Sequence, residues 1–119
     1  MRRYTKASVL EAARERVSLI FDNFSRVCVS ISGGKDSTVI LHLCLQEAAI
    51  RQREVVAFFL DQEAEYAASI ELVRQQMKLP GVIPEWYQVP IYLTNATSYT
   101  SYFLHAWGPG EKWMREREP

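Results

Sequence analysis

Cysteine and histidine are scarce in this 119-residue chain, with two of each, and its 14 basic residues are matched by 14 acidic ones to a formal net charge of +0. Cys28 and Cys44 lie inside apolar runs with no Cys or His partner at metal-ligand spacing. They read as small buried hydrophobes of a reducing compartment, not as a disulfide. His42 and His105 have no second ligand at i±3 or i±4, which leaves no zinc motif and no basis for a Ser–His–Asp arrangement. A balanced charge disfavours a protein dominated by phosphate-backbone contacts. No apolar stretch approaches the roughly 20 residues needed to span a bilayer, and Met1 to Lys6 leads into a charged amphipathic segment instead of a signal-peptide core. The expectation is a cytoplasmic protein without a membrane segment. Repeats, low-complexity tracts and linkers are also missing, and with 48% hydrophobic residues the chain reads as one globular domain over residues 1–119.

Within that domain the periodicity changes several times. From Thr5 to Phe24, Leu10, Ala13, Val17, Ile20, Phe21 and Phe24 recur at helical spacing, and Ser8 followed by Glu11 supplies a capping box. Val27 to Ile31 is short and β-branched, as suits a central strand. After Ser32–Ser37, the run from Val39 to Ala49 predicts a helix buried on most sides, with Thr38, His42 and Gln46 as its wet stripe. Val55 to Leu60 predicts a second strand. Tyr66, Ile70, Val73 and Met77 mark one face of a third helix that Pro80-Gly81 ends. A third strand is expected over Trp86–Val89, closed by Pro90. Alternation of strands and helices at these lengths predicts an α/β fold: an open, mostly parallel sheet with helices on both faces. Thr94 to Ser101 is rich in Thr, Ser and Asn, and Tyr99, Tyr102, Phe103, Leu104 and Trp107 predict a short helix or an aromatic loop. Residues 108–119, charged around Trp113, read as a solvated, flexible tail.

The segment that points to chemistry is Ser32-Gly33-Gly34-Lys35-Asp36-Ser37, between a buried strand and a helix N-terminus. Paired glycines let the backbone turn sharply and let an anion approach the main chain. The first N–H groups of the helix, its dipole, the Ser32 and Ser37 hydroxyls and the Lys35 ammonium all favour a phosphate or pyrophosphate. Asp36 is the odd member, to be read as an N-cap or as a partner for Mg²⁺. The spacing excludes a Walker A loop, and no G-x-G-x-x-G is present.

The block Ser30-Ile31-Ser32-Gly33-Gly34-Lys35-Asp36-Ser37, followed by Thr38-Val39, resembles the PP-loop of the adenine-nucleotide α-hydrolases, in the branch of the phosphoadenosine phosphosulfate (PAPS) reductases. The stretches Leu60 to Tyr66 and Trp107 to Arg115 resemble the immunoglobulin-binding-regulator and DNA-phosphorothioation relatives of that branch. The resemblance implies a three-layer, Rossmann-like fold, of which this chain would form the first part. It implies that Ser32, Gly33, Gly34, Lys35, Asp36 and Ser37 hold the phosphates of ATP or PAPS, with Ser30 and Ile31 beside the adenosine. Asp61, at the end of the second strand, would bind ribose, adenine or a metal, or simply cap a helix; Lys35, Asp36 and Asp61 are the candidate catalytic residues. Arg115 would reach a phosphate or sulfate if the tail folds back.

Relatives of this kind that reduce PAPS use a late cysteine, and none follows Cys44. Thiol-dependent reduction by this chain alone is therefore not expected. Two readings stay open: an ATP- or PAPS-binding enzyme, or a non-catalytic regulatory module that acts through a second copy or a partner subunit. Nucleic acid enters as a partner by family analogy only.

Overall fold

The computed structural model describes residues 6–94 and 99–119. Helix α1, Val9–Asn23, opens on Ser8, whose hydroxyl accepts from the Glu11 N–H while the Glu11 side chain accepts from the Ser8 N–H, the expected capping box. The expected start at Thr5 and part of the Thr94–Ser101 segment lie outside the described residues. Strand β1, Cys28–Ser30, leads through the glycine loop to α2, Lys35–Ile50. Strand β2, Val55–Leu60, is followed by α3, Ala67–Met77, and by β3, Val82–Tyr87. A hairpin of β4, Ile91–Thr94, and β5, Phe103–Ala106, forms a separate antiparallel pair, so the expected aromatic loop or helix is partly a strand.

The fold is α/β, with β1, β2 and β3 parallel and in that spatial order. Strand β3 begins earlier than expected and carries Pro84 within it. As the outer strand it pairs only with β2, so a missing N–H is tolerated there.

The order β1-β2-β3 has a consequence for the layers. Each strand moves one place in the same direction, so right-handed crossovers carry both α2 and α3 to the same face. The burial pattern agrees with this. Val27, Val29 and Ile31, then Val55, Ala57 and Phe59, join Leu41, Cys44 and Ala48 of α2 and Ile70, Val73 and Met77 of α3 in one core, with Val82 and Trp86 packed on it. Helix α1 lies against α2 and contributes Phe21 and Val17 to that core. The alternate strand residues, Cys28 and Ser30, Val56, Phe58 and Leu60, and Ile83, Glu85 and Tyr87, face away from it. The expectation of helices on both faces is therefore corrected: among the described residues all three lie to one side.

Helix α2 is likewise less enclosed than its composition suggests. Leu41, Cys44 and Ala48 are buried in the core, whereas Val39, Ile40 and Ile50 are exposed. Two arginines fasten α1 to the rest. Arg51 pairs with Asp22 and Glu47, both at 2.7 Å. Arg53 caps the end of α1, donating to the carbonyls of Phe21, Phe24 and Ser25 at 2.8, 2.6 and 2.5 Å while lying 4.8 Å from the Phe21 ring centre.

The C-terminal segment is the other correction. Residues 108–119 are not a solvated tail but fold back over the ends of β2 and β3. The Glu118 N–H donates to Gln88 Oε1 at 2.8 Å and its carboxylate pairs with Arg74 at 2.7 Å. Of the charges that suggested solvation, Glu111, Arg115 and Glu118 have ionic partners and Arg117 lies 4.4 Å from the Trp113 ring centre, while Lys112 and Glu116 are exposed. No helix of the described residues is long and apolar enough to cross a membrane.

Candidate functional site

The glycine loop joins the carboxyl end of β1 to the amino end of α2, where open parallel sheets place their ligands. Gly33 has φ +70°, a left-handed conformation, and a Cβ there would stand 3.0 Å from the Ser69 carbonyl oxygen and 3.1 Å from the Ser69 Cβ. A glycine is required twice over, by the turn and by the close approach of α3. Gly34 is in an extended conformation and takes the N-cap position of α2 without a side-chain cap.

The serines hold the loop in shape. Ser37 Oγ accepts from the Ser32 N–H at 3.1 Å, donates to the Gly34 carbonyl at 3.1 Å, and lies 3.1 Å from Ser32 Oγ. Thr38 Oγ1 donates to the same carbonyl at 2.8 Å and accepts from Gln76 Nε2 at 2.7 Å, which ties α3 to the first turn of α2. Gln76 carries no motif signal; only its buried position on α3 marks it. The first backbone N–H with an intrahelical acceptor is that of Thr38, which bonds the Gly34 carbonyl. The N–H groups of Lys35, Asp36 and Ser37 therefore stay free at the positive end of a 16-residue helix. The side chains of Lys35 and Asp36 project into solvent beside them.

Next to this loop is a cavity of about 290 Å³ lined by Ser30, Ile31, Ser32, Phe58, Leu60, Gln62 and Glu65. It opens at the carboxyl ends of β1 and β2. Gln62 and Glu65 were not singled out from sequence as ligand-facing residues, and the signal was available only in their position just past the end of β2. Burial, reinforced by the Asp61 charge, pushes the Glu65 carboxyl above its ordinary value, with Arg115 acting in the opposite sense.

Asp61 behaves differently from the expectation of a ligand-binding carboxylate. It is 0% exposed and fully committed to internal donors. Oδ1 accepts from the Glu63 N–H at 2.8 Å; Oδ2 accepts from Trp86 Nε1 at 2.8 Å, from Gln88 Nε2 at 2.9 Å and from an Nη of Arg115. Burial alone would raise this carboxyl, but the bonds from Arg115, Trp86, the Glu63 N–H and Gln88 together hold it below the usual carboxylate value. Arg115 also lies 5.1 Å from the Trp107 ring centre. Its partner is thus a carboxylate of its own chain: Arg115, expected at a phosphate or sulfate, and Asp61, expected at ribose, adenine or a metal, are brought together as a pair.

Glu63 completes this hub. It adopts φ +67°, is buried, and accepts from the Trp107 N–H at 2.5 Å and the Met114 N–H at 2.8 Å. Trp107, 0% exposed, donates through Nε1 to the Asp61 carbonyl at 2.9 Å. The Asp61–Gln62–Glu63 turn is therefore the anchor of the C-terminal segment. At its rim His105 stacks on Tyr92 with ring centres 4.3 Å apart and bonds Glu111 at 2.9 Å. Among the described residues no group of three or more His, Cys, Asp or Glu could hold a metal ion.

No family model matches the chain, and no solved structure matches it. Among curated proteins, the uncharacterized protein YbdN of Escherichia coli (strain K12) is 38% identical over 112 residues, 92% of this chain. The chain spans 28% of the length of that relative.

Proposed function

We propose that this chain is an adenine-nucleotide-binding domain of the PP-loop kind, similar to the PAPS reductases, with a Rossmann-like organisation and a cytoplasmic location. The observation that carries the reading is the adjacency of two features: three free N–H groups with Lys35 at the start of α2, and a cavity of about 290 Å³ at the ends of β1 and β2. The first suits phosphates. The second is at the small end of the roughly 300–1,000 Å³ common for ligand sites, a size for a nucleoside with its phosphates left over the loop.

In this reading the amides of Lys35, Asp36 and Ser37, the Ser32 and Ser37 hydroxyls and the Lys35 ammonium hold the phosphates, Gly33 and Gly34 give them access, and Ser30 and Ile31 border the nucleoside. Glu65, which borders the cavity, replaces Asp61 as the carboxylate able to accept from a ribose hydroxyl. An exposed Asp36 without an internal partner fits a Mg²⁺ ion shared with phosphate oxygens, which would neutralise phosphate charge. If the domain is catalytic, reaction occurs at the α-phosphorus of ATP with release of pyrophosphate, or at the sulfur of PAPS with transfer to a thiol and release of adenosine 3′,5′-bisphosphate. The loop would stabilise the charge that develops.

Isothermal titration of ATP and PAPS tests this directly. Wild-type protein binds one of them, and Gly34→Asp and the double change Lys35→Ala/Ser37→Ala abolish binding. Wild-type affinity in both variants removes the loop from the account. A non-catalytic regulatory module is the second reading, favoured by the lack of a cysteine among the residues that follow Cys44. Release of pyrophosphate, or of adenosine 3′,5′-bisphosphate in the presence of a thiol, would reject it.

A further inference from the structure

The cavity at the ends of β1 and β2 has two borders of opposite character. Ser32 brings one of them to the glycine loop, with its free N–H groups and the Lys35 ammonium. On the other, past the end of β2, Glu65 is the one charged side chain of the lining, and no lysine, arginine or histidine accompanies it. The turn after β2 fixes Glu65 in place: the Ala64 N–H donates to the Gln62 carbonyl at 2.7 Å and the Glu65 N–H to the Glu63 carbonyl at 2.9 Å. The Glu65 side chain is half-buried and, among the described residues, has no hydrogen-bond or ion-pair partner.

A second space of about 290 Å³ adjoins Glu65 and is bordered by Arg74 and Arg115. Both arginines are already committed. Arg74 pairs with Glu118 at 2.7 Å and with Glu71 at 3.5 Å, and Arg115 pairs with Asp61 and, at 3.3 Å, with Glu118. The Asp61 charge acts on Glu65 more strongly than the Arg115 charge that opposes it, so the field around this carboxylate is negative.

We infer that the site takes adenine nucleotides whose ribose 3′-hydroxyl is free and rejects those that carry a 3′-phosphate, with Glu65 as the residue that makes the distinction. The inference rests on the nucleotide-binding reading and narrows it from ATP or PAPS to ATP, because PAPS carries a phosphate on that hydroxyl. An ionised carboxylate accepts a hydrogen bond from a ribose hydroxyl but has no proton to offer a phosphate, which needs donors or a cation. Like charges brought together in a partly desolvated site repel, and such a contact discriminates by penalising the wrong ligand. If the domain is catalytic, the reacting centre is then the α-phosphorus of ATP and not the sulfur of PAPS.

ATP and adenosine 3′-phosphate 5′-triphosphate differ only in the 3′-phosphate, which makes them the matched pair for isothermal titration, with PAPS alongside. Wild-type protein binds ATP, and the 3′-phosphorylated form binds at least about tenfold more weakly. Glu65→Gln removes most of that ratio. Gln62→Lys, which sets a cation at the same border and leaves Glu65 in place, narrows it as well. A purely structural role for Glu65 would weaken both ligands alike and leave their ratio unchanged in Glu65→Gln, and that result overturns the inference. Equal or tighter binding of the 3′-phosphorylated form by the wild type, or binding of PAPS without ATP, also overturns it, while nucleotide binding itself stands. Failure of all three ligands to bind overturns the nucleotide reading and takes the inference with it.

Discussion

Arg115 and Asp61, 54 residues apart in sequence, form a partly buried ion pair in which the guanidinium donates from the returning C-terminal segment to the buried carboxylate. Removal of one partner of such a pair leaves the other charge without its counter-ion. Asp61→Ala is expected to cost about 3–5 kcal/mol and Arg115→Met to fall at the lower end of that range, because Trp86, Gln88 and the Glu63 N–H still serve the carboxylate. Urea unfolding of the two single variants and the double variant measures it, and a coupling below about 0.5 kcal/mol would mean that the pair adds nothing beyond packing.

The Asp61 carboxyl is held below its ordinary value, so the unfolded chain takes up this proton at a higher pH than the folded one. Stability from this group is fully present above the unfolded pKa and is lost as pH falls through the folded pKa. Acid unfolding followed by circular dichroism should show a steep limb below the ordinary carboxylate range, and Asp61→Asn should flatten it. An unchanged limb would assign acid sensitivity to other carboxylates.

Glu65 titrates in the opposite sense. Its folded pKa is raised, so its favourable contribution exists below the unfolded pKa and disappears as pH rises through the folded value. Glu65→Gln therefore raises the melting temperature at pH 7 and leaves it unchanged in acid, where both states of the wild type are protonated. A lower melting temperature at pH 7 would show that the charge is compensated in the folded state.

Gly33→Ala and Gly34→Ala should separate backbone strain from ligand access. At Gly33 the new methyl meets Ser69 and the backbone is left-handed, for a cost of about 1–3 kcal/mol. At Gly34 the methyl lies 3.3 Å from Ser32 Oγ in an extended backbone that any residue adopts, so stability changes by less than about 1 kcal/mol. Equal losses in thermal unfolding would contradict this geometry.

Arg53→Ala removes three hydrogen bonds from a cation to the end of α1, and about 1.5–3 kcal/mol of stability with them. Arg53→Lys should recover little, since a single ammonium cannot span three carbonyls in the same fan. Full recovery by lysine would reduce the site to simple charge.

The elements that repeat locally were legible in the sequence. Ser8 and Glu11 announce α1, β-branched Val27–Ile31 announces β1, and the glycine loop falls between strand and helix as its composition indicates. What escaped were quantities that depend on pairs distant along the chain. Strand periodicity does not encode the order β1-β2-β3, and that order alone decides that α2 and α3 share a face. Trp86 was legible as strand, but Val82 and Ile83 were masked by Pro84, which a central strand would exclude and an outer one accepts. At the candidate site, the loop's composition located its hydroxyls and amides. Asp61 looked available because its donors, Trp86, Gln88 and Arg115, arrive from 25, 27 and 54 residues away. The charged C-terminal segment looked solvated for the same reason.

All three tryptophans of the chain donate into one neighbourhood: Trp86 to the Asp61 carboxylate, Trp107 to the Asp61 carbonyl and Trp113 to the Gly108 carbonyl. Intrinsic fluorescence is therefore a local gauge and not an average over the molecule. Excited at the indole band, the protein reports whether its last dozen residues are seated, and a red shift that precedes the loss of helical ellipticity would record their release while the sheet and its helices are still intact.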